Sequence, residues 1–191
     1  VFKFLLRSGP SIELTRARFI REREILSGLN NPKVSRLIAD DLQHNPPWIA
    51  TEVFSGRSLE SVLENRKQID GKEWARLASD VLEGLDYVHK QGIVHRDLNP
   101  GNIVDAEHGY KIIDFGIASS ENVLIRYSGN HRIHHWHYAS PEQILDQDTD
   151  EKTDVFTLGT LLVYAATGKS AWTNDPRVFT KERTESLTED I

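Results

Sequence analysis

The chain has 191 residues, 38% hydrophobic and 27% charged, with 23 basic against 29 acidic side chains for a net charge of −6. That is the composition of one soluble globular domain, and scattered basic residues in an acidic chain speak against nucleic-acid binding. The absence of cysteine excludes a disulfide scaffold, a thiol nucleophile and a Cys-type zinc site.

No run approaches the roughly 18 apolar residues of a membrane span, and no basic region followed by an apolar stretch marks a secretory signal. Methionine is absent even at position 1, so the expectation is a fragment or processed piece of a longer protein. The apolar, aromatic opening from Val1 to Leu6 predicts a strand. From about Leu14 to Leu29 the pattern is helical, with Phe19, Glu22, Leu26 and Leu29 on one stripe, which places a carboxylate on an apolar face. Asn30-Asn31-Pro32 stops that helix. Strands are expected around Ser35 to Ala39 and Trp48 to Phe54, on either side of the Asn45-Pro46-Pro47 turn signal. A short helix from Ser58 leads to the clearest one, whose inward face reads Trp74, Leu77, Ala78, Val81, Leu82, Leu85 and Val88 and which Gly92 ends. Short β pieces follow at Ile103-Val104 and Tyr110 to Ile113. The polar, aperiodic segment from Ala118 to His137 predicts a functional loop. A last helix is expected from about Asp154 to Ala166, with Val155, Leu158, Leu162 and Ala165 inward and Gly168 as its stop.

Asp97, Asn102 and Asp114 lie in the irregular stretches between these elements. Hard oxygen donors of this kind suit Mg²⁺, which takes one or two carboxylates and completes its shell with water and phosphate. They sit in the strings His95-Arg96-Asp97-Leu98-Asn99-Pro100-Gly101-Asn102 and Asp114-Phe115-Gly116, with Ser140-Pro141-Glu142 further on. In order and spacing these strings resemble the signature set of the eukaryotic-type protein kinases, from Lys3 to about Trp172.

The resemblance implies an α+β, bilobal protein-kinase-like fold. Residues 1–54 would form a partial N-lobe, a small antiparallel sheet plus one helix, running from the lysine strand to the hinge. Residues 55–191 would form a partial, mainly helical C-lobe with the catalytic loop and activation segment. It implies ATP and Mg²⁺ as cofactors and a protein substrate. Asp97 would take or orient the substrate hydroxyl proton, and Asn102 and Asp114 would hold the metal. Lys3 would grip the α and β phosphates and pair with Glu22, which accounts for the carboxylate on the apolar stripe. Thr51 would be the gatekeeper, Glu52 and Phe54 would meet adenine through their backbone, and Val1, Ser58, Leu59, Ile103 and Val104 would complete the nucleotide site. Leu26, Leu37, His95 and Phe115 match a stack that aligns the lobes above Asp154. Arg96 is expected to meet a phosphorylated residue placed there by an activating kinase or by self-phosphorylation, with Ser119, Ser120, Tyr127 and Ser128 as candidates. His131, His134, His135 and His137 read as a substrate-docking or pH-sensitive loop rather than a zinc site.

Four departures stand out. Asn99 occupies a place where Ser/Thr-type members usually carry a lysine on the γ-phosphate, so it can donate a hydrogen bond there but no charge. The glycine-rich strands expected before Lys3 are absent from the chain, as is the later arginine that usually pairs with Glu142. His135 stands where a threonine that contacts the catalytic aspartate is common. The resulting expectation is part of a Ser/Thr-type kinase domain with little activity as an isolated chain, cytoplasmic or a cytoplasmic domain of a membrane-anchored parent. The alternatives are a pseudokinase or nucleotide-binding interaction module and, behind it, a small-molecule phosphotransferase.

Overall fold

The structure, a computed structural model, describes residues 1–6, 12–116, 138–145 and 147–171. Its elements run β1 (Phe2–Phe4), α1 (Ile12–Gly28), β2 (Leu37–Asp41), β3 (Trp48–Thr51), β4 (Gly56–Ser58), α2 (Leu59–Arg66), α3 (Gly71–His89), a 3-10 turn (Pro100–Asn102), β5 (Ile103–Ala106), β6 (Gly109–Ile112), α4 (Pro141–Ile144) and α5 (Glu151–Thr167). The class is mixed α+β, with two small antiparallel sheets ordered β1-β3-β2 and β4-β5-β6. The segment from Ala118 to His137, with its phosphorylation candidates and histidine cluster, lies outside the described residues.

Strand periodicity decides where Lys3 points. Lys3 pairs directly with Ile49 on β3, and directly opposed residues share a face. Ile49 is fully buried, so Lys3 is directed inward toward α1, while Phe2 and Phe4 stand on the opposite, exposed face with Trp48. On α1 the expected stripe is the buried one: Phe19, Glu22, Leu26 and Leu29 are all inside.

Asp70 starts α3 by accepting the Lys72 and Glu73 backbone N–H groups at 2.8 and 2.9 Å. Leu77, Val81, Leu85 and Val88 then recur every three or four residues and are buried, each contributing on the order of 1.5–3 kcal/mol. The expected inward face is corrected at two places. Trp74 and Leu82 are 36% and 47% exposed, and Trp74 lies across the helix edge with its indole N–H on the Leu162 carbonyl, 2.9 Å away. Gly84 instead lets β6 come close, since a Cβ there would lie 2.9 Å from Ile112 Cδ1. α3 also ends at His89, three residues before the expected stop; Gly92 sits beyond it at φ 71°.

The last helix needs a similar correction. It begins at Glu151 because Asp150 caps it, and its inward face is rotated: Val155 is 52% exposed, whereas Thr153, Asp154, Thr157, Leu158, Leu161 and Ala165 are buried. The rotation follows from Asp154, whose carboxylate is drawn inside by backbone N–H groups of the loop beneath it. Gly168 ends α5 in the left-handed conformation, as expected. The apolar side chains of both sheets and the helices, from Leu5 to Ala165, form one continuous core cluster.

Candidate active site

The loop between α3 and the 3-10 turn is organised from below by Asp154. Its fully buried carboxylate accepts the backbone N–H of His95 and of Arg96, both at 2.8 Å, and His89 Nε2 lies 2.8 Å from the same group. His95 is buried and takes the Asp97 N–H on Nδ1 at 3.2 Å, which leaves its proton on Nε2 to reach the Ile113 carbonyl at 3.3 Å. Its ring meets Phe115 edge-on at 4.8 Å, and Leu26 and Leu37 belong to the same apolar cluster. Of the four residues expected to stack, His95 and Phe115 are in direct ring contact, Leu26 lies in the core cluster with Phe115, and Leu37 packs against that cluster.

Arg96 adopts φ 63°, a left-handed conformation that costs a residue of its size on the order of 1–3 kcal/mol. Both sides of its backbone are clamped, the N–H by Asp154 and the carbonyl by Gln143 Nε2 at 2.7 Å. Gln143 is a residue that sequence reasoning missed. It forms a capping box with Ser140, its Oε1 accepting the Ser140 N–H at 3.1 Å and its own N–H reaching Ser140 Oγ at 3.4 Å. The signal was present as Ser140-Pro141-Glu142-Gln143, a capping-box pattern with proline at the first helical position. Glu142 is met by the Thr153 hydroxyl at 2.6 Å.

Beyond Arg96, two side-chain amides converge on the Asp97 carbonyl, Asn99 Nδ2 at 2.8 Å and Asn102 Nδ2 at 2.9 Å. Asn102 Nδ2 also reaches Asp97 Oδ2 at 3.1 Å. The Asn102 backbone carbonyl accepts the Ile113 N–H at 2.9 Å, which sets Asn102 beside the residue preceding Asp114. Asp114 is itself left-handed at φ 62°, tolerable for a short polar side chain, and its Oδ1 accepts the Gly116 N–H at 3.0 Å.

Asp114 also joins the pair on the facing sheet. Lys3 Nζ lies 2.8 and 2.9 Å from the two Glu22 oxygens and 3.3 Å from Asp114 Oδ1. Gly116 leaves room for this triad, because a Cβ there would stand 3.0 Å from both Lys3 Nζ and Asp114 Oδ1. Burial pulls the Lys3 ammonium down, but the Asp114 and Glu22 carboxylates outweigh it and raise its pKa. Burial dominates at Glu22 and pushes its carboxyl up despite Lys3. At Asp114 burial is overcome by Lys3 and the Gly116 N–H, which hold the carboxyl below its usual range.

These groups border a cleft of about 140 Å³ lined by Val1, Lys3, Glu22, Thr51, Glu52 and Asp114 among others. Of the remaining nucleotide-site expectations, Leu59 and Ile103 are fully buried in the core, and Ser58 caps α2 with its hydroxyl accepting the Ser61 N–H at 3.2 Å. Phe54 is half-buried with its ring 5.7 Å from Lys111 Nζ, and Val104 is half-buried opposite Ser58 on β5. A second hollow, about 320 Å³, lies beyond the catalytic loop and is lined by Glu60, Glu64, Asn99, Pro100, Tyr138 and Tyr164 with neighbours.

The donor set fits a hard divalent cation. Asn102 donates its side-chain N–H to Asp97, so its amide oxygen is still an acceptor, and its backbone carbonyl takes the N–H of Ile113, the residue before Asp114. Among the described residues no group of three or more His, Cys, Asp or Glu could hold a metal ion.

A lysine–glutamate pair that shares a cleft with Asp114, and a loop in which Asn102 braces Asp97, together match a kinase-type fold. The protein kinase domain family model matches residues 3–189, and the chain belongs to that family. It is 35% identical over 175 residues to the probable serine/threonine-protein kinase PkwA of Thermomonospora curvata, covering 92% of this chain and 24% of that protein. It is 36% identical over 157 residues to the serine/threonine-protein kinase AfsK of Streptomyces coelicolor, covering 82% and 20%. To the serine/threonine-protein kinase PknB of Mycobacterium tuberculosis it is 31% identical over 184 residues, covering 91% and 28%. The chain thus spans between 20% and 28% of the length of these three relatives.

Proposed function

We propose that the chain is part of the kinase domain of a Ser/Thr protein kinase that, as the intact parent protein, transfers the γ-phosphate of ATP to a protein hydroxyl. The observation that carries this reading is the convergence at Asp114: its carboxylate touches Lys3, and Ile113 beside it is tied to Asn102, which is hydrogen-bonded to Asp97. The serine/threonine names of the relatives support the hydroxyl class. On this reading residues 1–54 are a partial N-lobe and 55–191 a partial C-lobe.

Lys3, held by Glu22, orients the α and β phosphates. Asp97 accepts or orients the substrate hydroxyl proton, and its pose is fixed through its own carbonyl. Asn102 and Asp114 hold Mg²⁺, which when bound neutralises charge developing on the transferred group. Val1, Thr51 and Glu52 line the adenine end of the cleft, with Phe54, Ser58, Leu59 and Val104 beyond them. The substrate protein would approach over the hollow beside Asn99 and Pro100. Activation by phosphorylation near Arg96, by another kinase or by the chain itself, belongs to the same reading. So does a cytoplasmic placement, free or tethered to a membrane through other parts of a parent protein; among the described residues no helix is long and apolar enough to cross one.

The test, made on the intact parent protein because the isolated chain is expected to have little activity, is transfer of labelled γ-phosphate to a generic protein substrate, followed by phosphoamino-acid analysis. Phosphoserine or phosphothreonine formed by the wild type and lost in Asp97→Ala supports the reading; equal signal from both overturns it. A nucleotide-binding module without catalysis is the second reading, favoured by the uncharged Asn99 in the catalytic loop. It predicts Mg²⁺-dependent ATP binding with no transfer.

A further inference from the structure

On the kinase reading the resemblance would aim residue 99 at the γ-phosphate, but the Asn99 side chain is used within its own loop. Nδ2 donates to the Asp97 carbonyl at 2.8 Å and Oδ1 accepts the Gly101 N–H at 2.9 Å. The residue is 7% exposed and caps the 3-10 turn Pro100–Asn102. It lines the hollow shared with Pro100, Tyr138 and Tyr164. Turning the amide away would break both bonds, which hold the part-buried Asp97 carbonyl and Gly101 N–H. Gly101 is part of the same fit, because a Cβ there would lie 3.0 Å from Asn99 Oδ1.

We infer that Asn99 is a positioning residue for Asp97 and Asn102 and does not contact the transferred phosphate. It pins the Asp97 carbonyl from one side while Asn102 Nδ2 pins it from the other, and its cap shapes the turn that delivers Asn102. Charge on the γ-phosphate is then met without a cation from position 99. This rests on the kinase reading above.

The experiment compares wild type, Asn99→Ser and Asn99→Ala by three readouts: affinity for ATP and for ADP with Mg²⁺, melting temperature without nucleotide, and phosphotransfer kinetics. Both variants are expected to keep the wild-type ratio of ATP to ADP affinity within about twofold, since no γ-phosphate contact is lost. Asn99→Ser retains an oxygen for the Gly101 N–H and should melt close to wild type. It lacks the donor to Asp97, so its kcat should fall about tenfold with the KM for ATP unchanged. Asn99→Ala loses both bonds and should melt lower as well. An ATP to ADP ratio reduced about fivefold or more in Asn99→Ala at unchanged melting temperature would make Asn99 a phosphate ligand and overturn the inference. A kcat for Asn99→Ser equal to wild type would overturn it too. Wild-type protein that binds neither nucleotide sinks the kinase reading and this assignment with it, whereas an effect confined to the variants leaves that reading standing.

Discussion

The Asp154 carboxylate on α5 accepts the backbone N–H of Arg96 at 2.8 Å, and Arg96 is held there at φ 63°. A strained residue beside Asp97 is thus anchored by a buried side chain 58 positions later in the chain. Replacing Asp154 by alanine would strand the N–H groups of His95 and Arg96 and the partner of His89, at about 1–3 kcal/mol for each unsatisfied group. We expect Asp154→Ala to lose at least about 3 kcal/mol in urea denaturation, and Asp154→Asn to recover little because its amide turns a donor toward other donors.

Gln143 clamps the other side of Arg96, so its loss should be felt in the catalytic loop although it lies on α4. Gln143→Leu removes the capping box and the bond to the Arg96 carbonyl together, with an expected cost of about 1–3 kcal/mol. Gln143→Glu keeps an oxygen for Ser140 but opposes two acceptors at Arg96, and should melt below wild type. Equal melting temperatures for all three proteins would show that the clamp carries no weight.

Lys3 and Glu22 should behave as one unit. Lys3→Met and Glu22→Gln are each expected to weaken ATP binding, and the double variant to lose less than the sum, with a coupling of about 0.5–3 kcal/mol in a double-mutant cycle. Gly116→Ala should act on the same unit from the side by crowding Nζ. Additive losses measured by calorimetry would mean that the two residues act separately.

The candidate site residues that could be proposed from the sequence were those whose spacing is local. Glu22 announced itself by interrupting an apolar stripe, and Asp97, Asn102 and Asp114 by lying in short strings of fixed order. The helices α1 and α3 were legible because periodic burial leaves a trace in composition. The errors came where a distant partner decides orientation: Trp74 is held at a helix edge by a carbonyl of α5, and the face of α5 is turned by Asp154 bonding to a loop far earlier in the chain. Asn99 shows the same limit. Its identity said that charge is missing, but only the geometry says where its amide points.

The triad titrates with opposed signs. Asp114 is held below its ordinary 3.8, so its stabilising contribution is present above that pH and lost as the pH falls through the folded value. Lys3 is raised above its ordinary 10.5, so its contribution is complete below that pH and lost as the pH rises through the folded value. Glu22, raised above 4.5 chiefly by burial, works against Asp114 by making the fold bind its proton more tightly. We expect the stability difference between wild type and Lys3→Met to shrink on the alkaline side of 10.5, and that between wild type and Asp114→Asn to shrink on the acid side of 3.8. Urea denaturation across both limbs checks this; differences independent of pH would contradict it.

The central claim is that Asn102 and Asp114 act on one nucleotide-borne cation. Titration calorimetry of ATP into wild type and Asp114→Asn, with and without Mg²⁺, tests it most directly. The account predicts wild-type binding that strengthens at least about tenfold when Mg²⁺ is added, and an Asp114→Asn protein in which that gain is lost. ATP affinity in the wild type that is indifferent to Mg²⁺, or a gain that survives in Asp114→Asn, would contradict it.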